Sequence, residues 1–192
     1  QEPGSKQGGG YYGFDGKSLK KAFLKSPLEF SRISSGFSMR RHPILNQWRQ
    51  HKGVDFAAPT GTPIRASGDG VLDFAGTQNG YGNFIVIKHW NNYSTAYGHM
   101  SRLAPGMRKG AKVSQGDVIG YVGSTGWATG PHLHYEFRVK DVALDPMSVD
   151  IPNAQPMTTA QLQQFRRVTG NIMHRFALMR PQQSPIKLAS AE

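Results

Sequence analysis

From Phe30 onward the chain alternates short runs of β-favouring residues with turns rich in glycine, proline and asparagine, and this alternation strongly limits the possible folds. Turn signals stand at 79–83 (NGYGN), 91–92 (NN), 105–106 (PG) and 115–117 (QGD). The runs between these turns predict five strands: Val71–Ala75, Asn83–His89, Ser94–His99, Asp117–Val122 and Leu133–Val139. We therefore predict a mainly β fold, an antiparallel sheet or sandwich, in which the second and third of these strands form a hairpin.

The two ends of the chain differ from this β-rich centre. Residues 1–29 are predicted to form a flexible segment, with a short basic helix from Ser18 to Leu24, and 30–152 the main domain. An amphipathic helix is predicted within 153–180, and residues 181–192 are expected to be disordered. The chain opens in low-complexity sequence without an initiator Met, so we expect a fragment or processed form of a longer protein, with any targeting segment upstream.

The predicted C-terminal helix has a start signal and an apolar stripe. Thr158 and Gln161 have the spacing of a capping box. Apolar residues then follow at helical spacing: Leu162, Phe165, Val168, Ile172, Met173, Phe176 and Met179. We expect this stripe to pack against the main domain or against a neighbour that this chain lacks.

Charge and cysteine content narrow the possible functions. The 192 residues carry a formal net charge of +11 and include no cysteine. Without cysteine there are no disulfides or thiolate metal sites, and histidine and carboxylate remain as zinc donors. The positive charge favours an anionic partner (nucleic acid, an acidic membrane surface or a cell-wall polymer) or serves solubility alone. Because the basic residues are scattered and no nucleic-acid motif or membrane-length apolar run occurs, we predict neither a nucleic-acid partner nor a transmembrane segment.

Three short motifs, HKGVD, YGHMS and PHLHYEF, contain five residues that indicate a metal site: His51, Asp55, His99, His132 and His134. Catalytic zinc usually has three nitrogen or oxygen ligands from the protein and keeps one position for water or substrate. On a strand, a spacing of two places His132 and His134 on the same face, but this alternation does not decide which of them binds metal. The histidines at His42 and His89 have no comparable partner, which indicates structural or exposed positions.

The residues around these motifs indicate how each motif is presented. Gly53, Val54 and Pro59 place HKGVD on an extended segment that leads into a loop. The glycine-rich stretch 123–131 comes directly before the HLH strand, which favours a wall of a binding groove over an ordinary surface turn. Glu136 shares a strand face with the two histidines if the strand is straight, so it either orients a ligand histidine or lies on the surface.

Several stretches together resemble the lysostaphin/LytM-type zinc metalloendopeptidases, which cut peptide cross-links in peptidoglycan. They are HKGVDFAAPTGTPIRA, GYGNFIVIKH, TAYGHMS, GDVIGYVGSTGWATGPHLHYEFR and the following LDP. The resemblance covers roughly residues 30–150, and the stretch before HKGVD is similar to Gram-negative envelope members. It implies a mainly antiparallel sheet with an open groove and zinc at its floor. It also implies a periplasmic or cell-envelope location and regulatory or wall-binding domains upstream.

The same resemblance assigns roles to the five residues. It implies one zinc ion per chain, held by His51, Asp55 and His134. It makes His99 and His132 catalytic, one as acid or base and the other as oxyanion donor, in an order that stays open. The implied substrate is the D-alanyl–meso-diaminopimelate cross-link, cut by a D,D-endopeptidase, rather than the glycine bridges that lysostaphin cuts. Some relatives lack the ligands and act as non-catalytic regulators of wall amidases, whereas this chain keeps all five residues.

Overall fold

The computed structural model describes residues 21–41, 48–150 and 157–179. These residues form twelve strands, a single turn of 3-10 helix (Trp90–Asn92) and one α-helix. The elements are β1 (Arg32–Ser35), β2 (Ser38–Arg41), β3 (Trp48–His51), β4 (Val54–Ala57), β5 (Pro63–Arg65), β6 (Gly70–Gln78), β7 (Gly82–Lys88), β8 (Tyr93–Leu103), β9 (Lys112–Val113), β10 (Val118–Val122), β11 (His132–Val139), β12 (Val142–Leu144) and α1 (Thr159–Met179). Residues Lys21–Asn153 form one compact unit, and the helix belongs to a second unit.

The strands of the compact unit form one large antiparallel sheet. Ten strands belong to it, with β1-β4-β11-β8-β7-β6-β9 as the main order, while β2 and β3 pair as a separate hairpin. β10 joins β5 to β8, and β12 extends the sheet beside β11. All five predicted strands are present, and β7 pairs with β8 as the predicted hairpin. The prediction of a mainly antiparallel β fold is therefore confirmed.

β11 is an interior strand of the sheet, between β4 and β8. One of its faces packs against the core and the other faces away from it. Leu133 and Tyr135 belong to the apolar core, and Phe137 is also fully buried. Because side chains alternate along a strand, the residues between them, among them His134 and Glu136, point to the other face. Burying each large apolar side chain contributes about 1.5–3 kcal/mol to folding. The alternation along β11 thus anchors the strand in the core while it presents polar groups on the other face.

The described part of the N-terminal segment packs onto the sheet and is not helical over residues 21–24, where the sequence predicted a helix. Phe23 is almost fully buried, with its ring edge-on to His89 and Phe137 at centroid distances of 4.8 and 5.1 Å. Leu24 donates its backbone N–H to the carbonyl of Ser67. Burial of the Phe23 ring outweighs a weak local helix propensity, and residues 21–29 belong to the same compact unit as the sheet. The predicted domain boundaries stay a prediction. The predicted segments 1–20 and 181–192 lie outside the described residues.

The helix α1 begins at the predicted capping box. The Thr158 backbone N–H donates to Gln161 Oε1 at 3.0 Å, and the Gln161 N–H donates to Thr158 Oγ1 at 3.3 Å. Of the apolar stripe, Leu162 and Phe165 are half-buried and Val168 is exposed. The packing of this stripe against a partner therefore stays a prediction.

Within the described ranges, no helix has both the length and the apolar character that crossing a membrane requires.

Candidate active site

Three side chains from two distant segments of the chain converge on one point. His51 Nε2 lies 3.0 Å from Asp55 Oδ1, and His134 Nδ1 lies 2.8 Å from the same oxygen. The two histidine nitrogens are 3.1 Å apart. All three residues are buried. Two nitrogen atoms and one carboxylate oxygen thus form a compact triangle, here called the ligand triangle.

The central strands of the sheet position the ligand triangle. β4 and β11 pair so that Asp55 stands directly opposite His134. His51 is the last residue of β3, and only two residues separate it from β4. The second of them, Gly53, passes so close to β11 that a Cβ atom there would clash with the Tyr135 carbonyl and press on the His134 ring. Glycine is required at this position because no other residue permits such a close approach of the two backbones.

Each ligand histidine uses its outer nitrogen as a hydrogen-bond donor. His51 Nδ1 donates to the Gly36 carbonyl at 2.8 Å, and His134 Nε2 donates to Glu136 Oε1 at 3.0 Å. A carbonyl or carboxylate accepts only from N–H, so these bonds fix the tautomer of both rings. In the neutral rings that a metal would bind, the lone pairs therefore lie on the inner nitrogens, His51 Nε2 and His134 Nδ1. Without a metal, a proton on either of these nitrogens is donated to Asp55 Oδ1. This outer support is typical of histidines that bind metals.

Glu136 is fully buried and belongs to a small polar network behind the triangle. Its Oε2 accepts from Arg138 Nε at 2.7 Å, and its Oε1 accepts from the Tyr81 hydroxyl at 2.8 Å. The predicted sharing of a strand face with His134 is confirmed, and Glu136 does not lie on the surface. Tyr81 and Arg138 were not predicted from the sequence as part of the site. Tyr81 lies in the NGYGN stretch, which indicates only a turn, and the signal for Arg138 was its spacing of two from Glu136.

The electrostatics of the triangle favour a positive charge at its centre. Burial alone would raise the pKa of Asp55, but hydrogen bonds from His134 and His51 outweigh it and hold that pKa far below the usual range. Burial likewise disfavours a charged His134, yet Asp55 and Glu136 raise the pKa of His134 to about 9. Against its own burial, Glu136 keeps a pKa of about 2 because of His134 and Arg138. Both carboxyl groups are therefore ionised at neutral pH around a site that attracts a cation.

His99 and His132 lie beside the triangle without joining it. Their ring centroids are 4.7 Å apart, and His132 Nε2 is 3.8 Å from Asp55 Oδ1, beyond hydrogen-bond distance. His99 Nδ1 donates to the Thr125 carbonyl at 2.7 Å, and His132 Nδ1 donates to the Gly130 carbonyl at 2.8 Å. These bonds leave Nε2 of each ring for a ligand in the groove. Burial lowers the pKa of His99 to about 4, so this imidazole is neutral at neutral pH.

The side chain of His99 reaches the groove through a break in strand geometry. Gly98 pairs with His134, so in a regular strand the next residue would point to the core face, as Tyr97 does. His99 instead has a φ of 60°, in the left-handed region, and its N–H donates to the Tyr81 carbonyl at 2.7 Å. Such a conformation costs about 1–3 kcal/mol in a residue other than glycine and is concentrated at functional sites. The sequence identified His99 but not this reversal of its direction.

The five predicted residues line one groove of about 570 Å³. Trp127 and Thr129 belong to the loop 123–131, which confirms the prediction that this loop forms a wall of the groove. The loop is tied to the rest of the groove, because the Trp127 N–H donates to the Gly80 carbonyl at 2.8 Å. Further side chains in the lining, which the sequence analysis did not identify as part of a site, are Gln50, Lys52, Asn79 and Tyr81.

The donor set of the ligand triangle fits a zinc ion. Zinc in proteins is commonly tetrahedral, and bonds of about 2.0–2.2 Å then separate neighbouring ligand atoms by about 3.3 Å. The three donor atoms of the triangle are 2.8–3.1 Å apart, so a small outward adjustment would accommodate the ion. Two imidazole nitrogens and one carboxylate oxygen would supply three of the four ligands of a tetrahedral zinc ion, the number that catalytic zinc sites take from the protein.

Comparisons with known proteins agree with this site. Residues 49–146 match the model of Peptidase family M23. The chain is 47% identical over 151 residues to the peptidoglycan DD-endopeptidase ShyC of Vibrio cholerae, covering 78% of this chain and 34% of ShyC. It is 50% identical over 143 residues to the DD-carboxypeptidase/endopeptidase Mpg of Neisseria meningitidis, covering 73% of this chain and 33% of Mpg. The chain thus spans about a third of the length of either relative.

A solved structure has the same fold. A zinc-containing peptidase from Vibrio cholerae superposes with a TM-score of 0.64 at 35% sequence identity, covering 74% of this chain and 47% of that one. The matched family model includes β4 and β11, which carry Asp55, His132 and His134, and β8, which carries His99. By the extent of the family match, the mainly β fold and the His–Asp–His triangle at its groove, this chain belongs to peptidase family M23.

Proposed function

We propose that this protein is a zinc-dependent endopeptidase that hydrolyses peptide cross-links of peptidoglycan, with the D-alanyl–meso-diaminopimelate bond as its substrate. One observation carries the proposal: three donor atoms converge within 3.1 Å beside two histidines whose Nε2 atoms are available to a ligand. Similarity to ShyC, a peptidoglycan DD-endopeptidase, and to Mpg, a DD-carboxypeptidase/endopeptidase, supports the choice of bond. The net positive charge of the chain suits an anionic wall, and such a substrate implies the periplasm as the site of action.

In this proposal His51, Asp55 and His134 hold one zinc ion per chain. The bound ion would supply Lewis-acid chemistry, activating a water molecule and polarising the carbonyl of the scissile amide. Glu136 keeps His134 in the required tautomer, and Gly36 does the same for His51. Loss of a supporting partner of this kind typically weakens metal affinity or activity by about 10- to 100-fold.

His99 and His132 move the protons of the reaction. Hydrolysis breaks the amide C–N bond, forms a C–O bond from water, and transfers one water proton to the leaving amine. His99 is neutral at neutral pH and keeps an Nε2 lone pair, so it suits the role of the base that accepts this proton and passes it to the amine. His132 lies next to it and is placed to stabilise the oxygen on which negative charge develops.

The proposal is tested by metal analysis of the purified protein together with digestion of purified sacculi. We expect one zinc ion per chain and release of monomeric muropeptides whose masses show cleavage between D-alanine and diaminopimelate. Cleavage confined to pentaglycine bridges would overturn the assigned bond. Protein that binds no zinc and releases no muropeptides would overturn the enzyme and favour a non-catalytic regulator of wall amidases. Strong, salt-dependent binding to DNA in preference to sacculi would instead indicate a nucleic-acid function.

A further inference from the structure

Lys52 places a positive charge in the active-site groove that the proposed chemistry does not use. Its side chain lines the groove together with the ligand triangle and is exposed to solvent. Within the described part of the chain, no carboxylate forms an ion pair with Lys52. Most surface lysines serve solubility alone, but this one stands directly after a ligand of the triangle, His51.

The backbone around Lys52 is fixed in place. On one side His51 is held by its bonds to Gly36 and the triangle. On the other side Gly53 is pressed against the backbone of β11 and the ring of His134. The α-carbon of Lys52 therefore cannot move away from the triangle without disturbing a ligand. The backbone therefore holds this cation next to the triangle, beside which the scissile bond would lie.

The charges of the groove select the kind of group that Lys52 would bind. Two carboxylates line the described groove, and both are committed: Asp55 to the triangle, and Glu136 to His134, Tyr81 and Arg138. An ammonium group of a substrate would therefore find no uncommitted carboxylate there, whereas a carboxylate would find Lys52. Charge complementarity thus favours an anionic substituent next to the reacting bond.

We infer that Lys52 is a specificity-determining residue that binds the carboxylate carried by the amino acid on the leaving-group side of the scissile amide. This inference rests on the proposed function. In a D-alanyl–diaminopimelate cross-link, the carbon that bears the leaving nitrogen also carries a carboxylate. A terminal D-alanyl-D-alanine has its carboxylate in the same place, so one cation serves both substrates. An internal glycine–glycine bond has none, and Lys52 gives it no advantage.

The test compares two synthetic cross-linked peptide dimers. In one the carboxylate next to the scissile bond is free, and in the other it is converted to a carboxamide. Rates are measured for zinc-loaded wild type, Lys52→Met and Lys52→Arg. We expect wild type to prefer the free acid by about 10- to 100-fold in kcat/KM, the range of a charge-assisted hydrogen bond. In Lys52→Met the free-acid dimer should react more slowly while the rate of the carboxamide dimer stays the same, so the preference is lost. Lys52→Arg should keep most of the preference.

A matched control removes the same charge elsewhere. Lys109→Met alters an exposed lysine outside the groove lining and should leave the preference for the free acid unchanged. Equal rates of wild type on both dimers would overturn the inference while the proposed function stands, and so would equal losses on both dimers in Lys52→Met. If wild type cleaves neither dimer and no sacculi, the proposed function fails and the inference fails with it.

Discussion

Two histidines of the ligand triangle, His51 and His134, are oriented in the same way as His99 and His132 beside it. The two pairs differ in the groups that surround the ring nitrogen facing the groove. All four rings donate an outer N–H, to a backbone carbonyl or, in His134, to a carboxylate. In His51 and His134 the inner nitrogens converge to 3.1 Å around a shared carboxylate. The inner nitrogen of His132 stays 3.8 Å from that carboxylate. Convergence suits the binding of one ion, and separation suits the transfer of protons to a substrate.

The two pairs also differ in their support. Behind His134 stands a network of the fully buried Glu136 with the half-buried Arg138 and Tyr81, which resists rotation of the ring. His99 is anchored by the Thr125 carbonyl of the loop and by its own strained backbone. A carboxylate network therefore supports His134, whereas single backbone carbonyls orient His51, His99 and His132. Four predictions test whether this difference corresponds to a difference in function.

The largest effect is expected for the ligand triangle. His51→Ala and His134→Ala should each lose bound zinc and activity together, because two donors no longer complete the site and the Asp55 carboxylate remains buried without its partner. Zinc per chain, measured by elemental analysis after dialysis, is compared with muropeptide release. A variant that retains one tightly bound zinc would show that the removed side chain is not a ligand.

The next effect concerns the neighbouring pair. His132→Ala and His99→Ala should keep one zinc per chain but lose about 10²- to 10⁴-fold in kcat, the usual contribution of a positioned acid or base. The same elemental analysis and a steady-state assay on a cross-linked peptide provide both readings. Full activity in His132→Ala would mean that the roles of His132 and His134 are wrongly assigned.

A smaller effect should come from the network behind the triangle. Glu136→Gln removes the negative charge that fixes the Nε2–H tautomer of His134, so zinc affinity should fall by about 10- to 100-fold. Tyr81→Phe is the matched variant: it removes one hydrogen bond to Glu136 and keeps the ring, so its loss should be smaller. Affinities are measured by competition with a chelator. An unchanged zinc affinity in Glu136→Gln would show that the network has only a structural role.

The smallest effect is expected for a histidine outside the site. His89 uses both ring nitrogens within the fold, Nδ1 to the Asp69 carbonyl and Nε2 with Thr95 Oγ1, each at 2.8 Å, and burial lowers its pKa. Between that lowered pKa and about 6.5, the ordinary value, the unfolded chain binds a proton that the folded chain does not. Acidification through this range should therefore destabilise the fold through His89.

His89→Gln provides the measurement. Urea unfolding midpoints at pH 5 and pH 7.5, at equal zinc loading, should differ less in the variant than in wild type, while hydrolysis at pH 7.5 should stay at the wild-type level. An identical pH dependence would contradict the structural assignment of His89. A loss of activity without a loss of stability would show that a histidine can be functional even when both of its ring nitrogens are hydrogen-bonded within the fold.

Most of the strand pattern followed from the sequence because it depends on local information, and short motifs were enough to select the five candidate site residues. The period of two in β11 predicted a core face and a polar face, and the turn residues predicted where β7 and β8 would meet. The resemblance to a known family pointed to the same five residues. The N-terminal segment was predicted less well, because the burial of Phe23 depends on a pocket formed by distant strands.

What the sequence determined by itself was the chemistry that the chain carries: the absence of thiolates, the donor types and the alternation that keeps His132, His134 and Glu136 on one face. The tertiary structure alone decided that three donors meet at 2.8–3.1 Å, because the register of β4 against β11 depends on pairing between residues about 80 positions apart. It also decided that His99 faces the groove, since a positive φ reverses the direction that alternation assigns. Periodicity describes neighbours along a chain, whereas a metal site depends on neighbours in space.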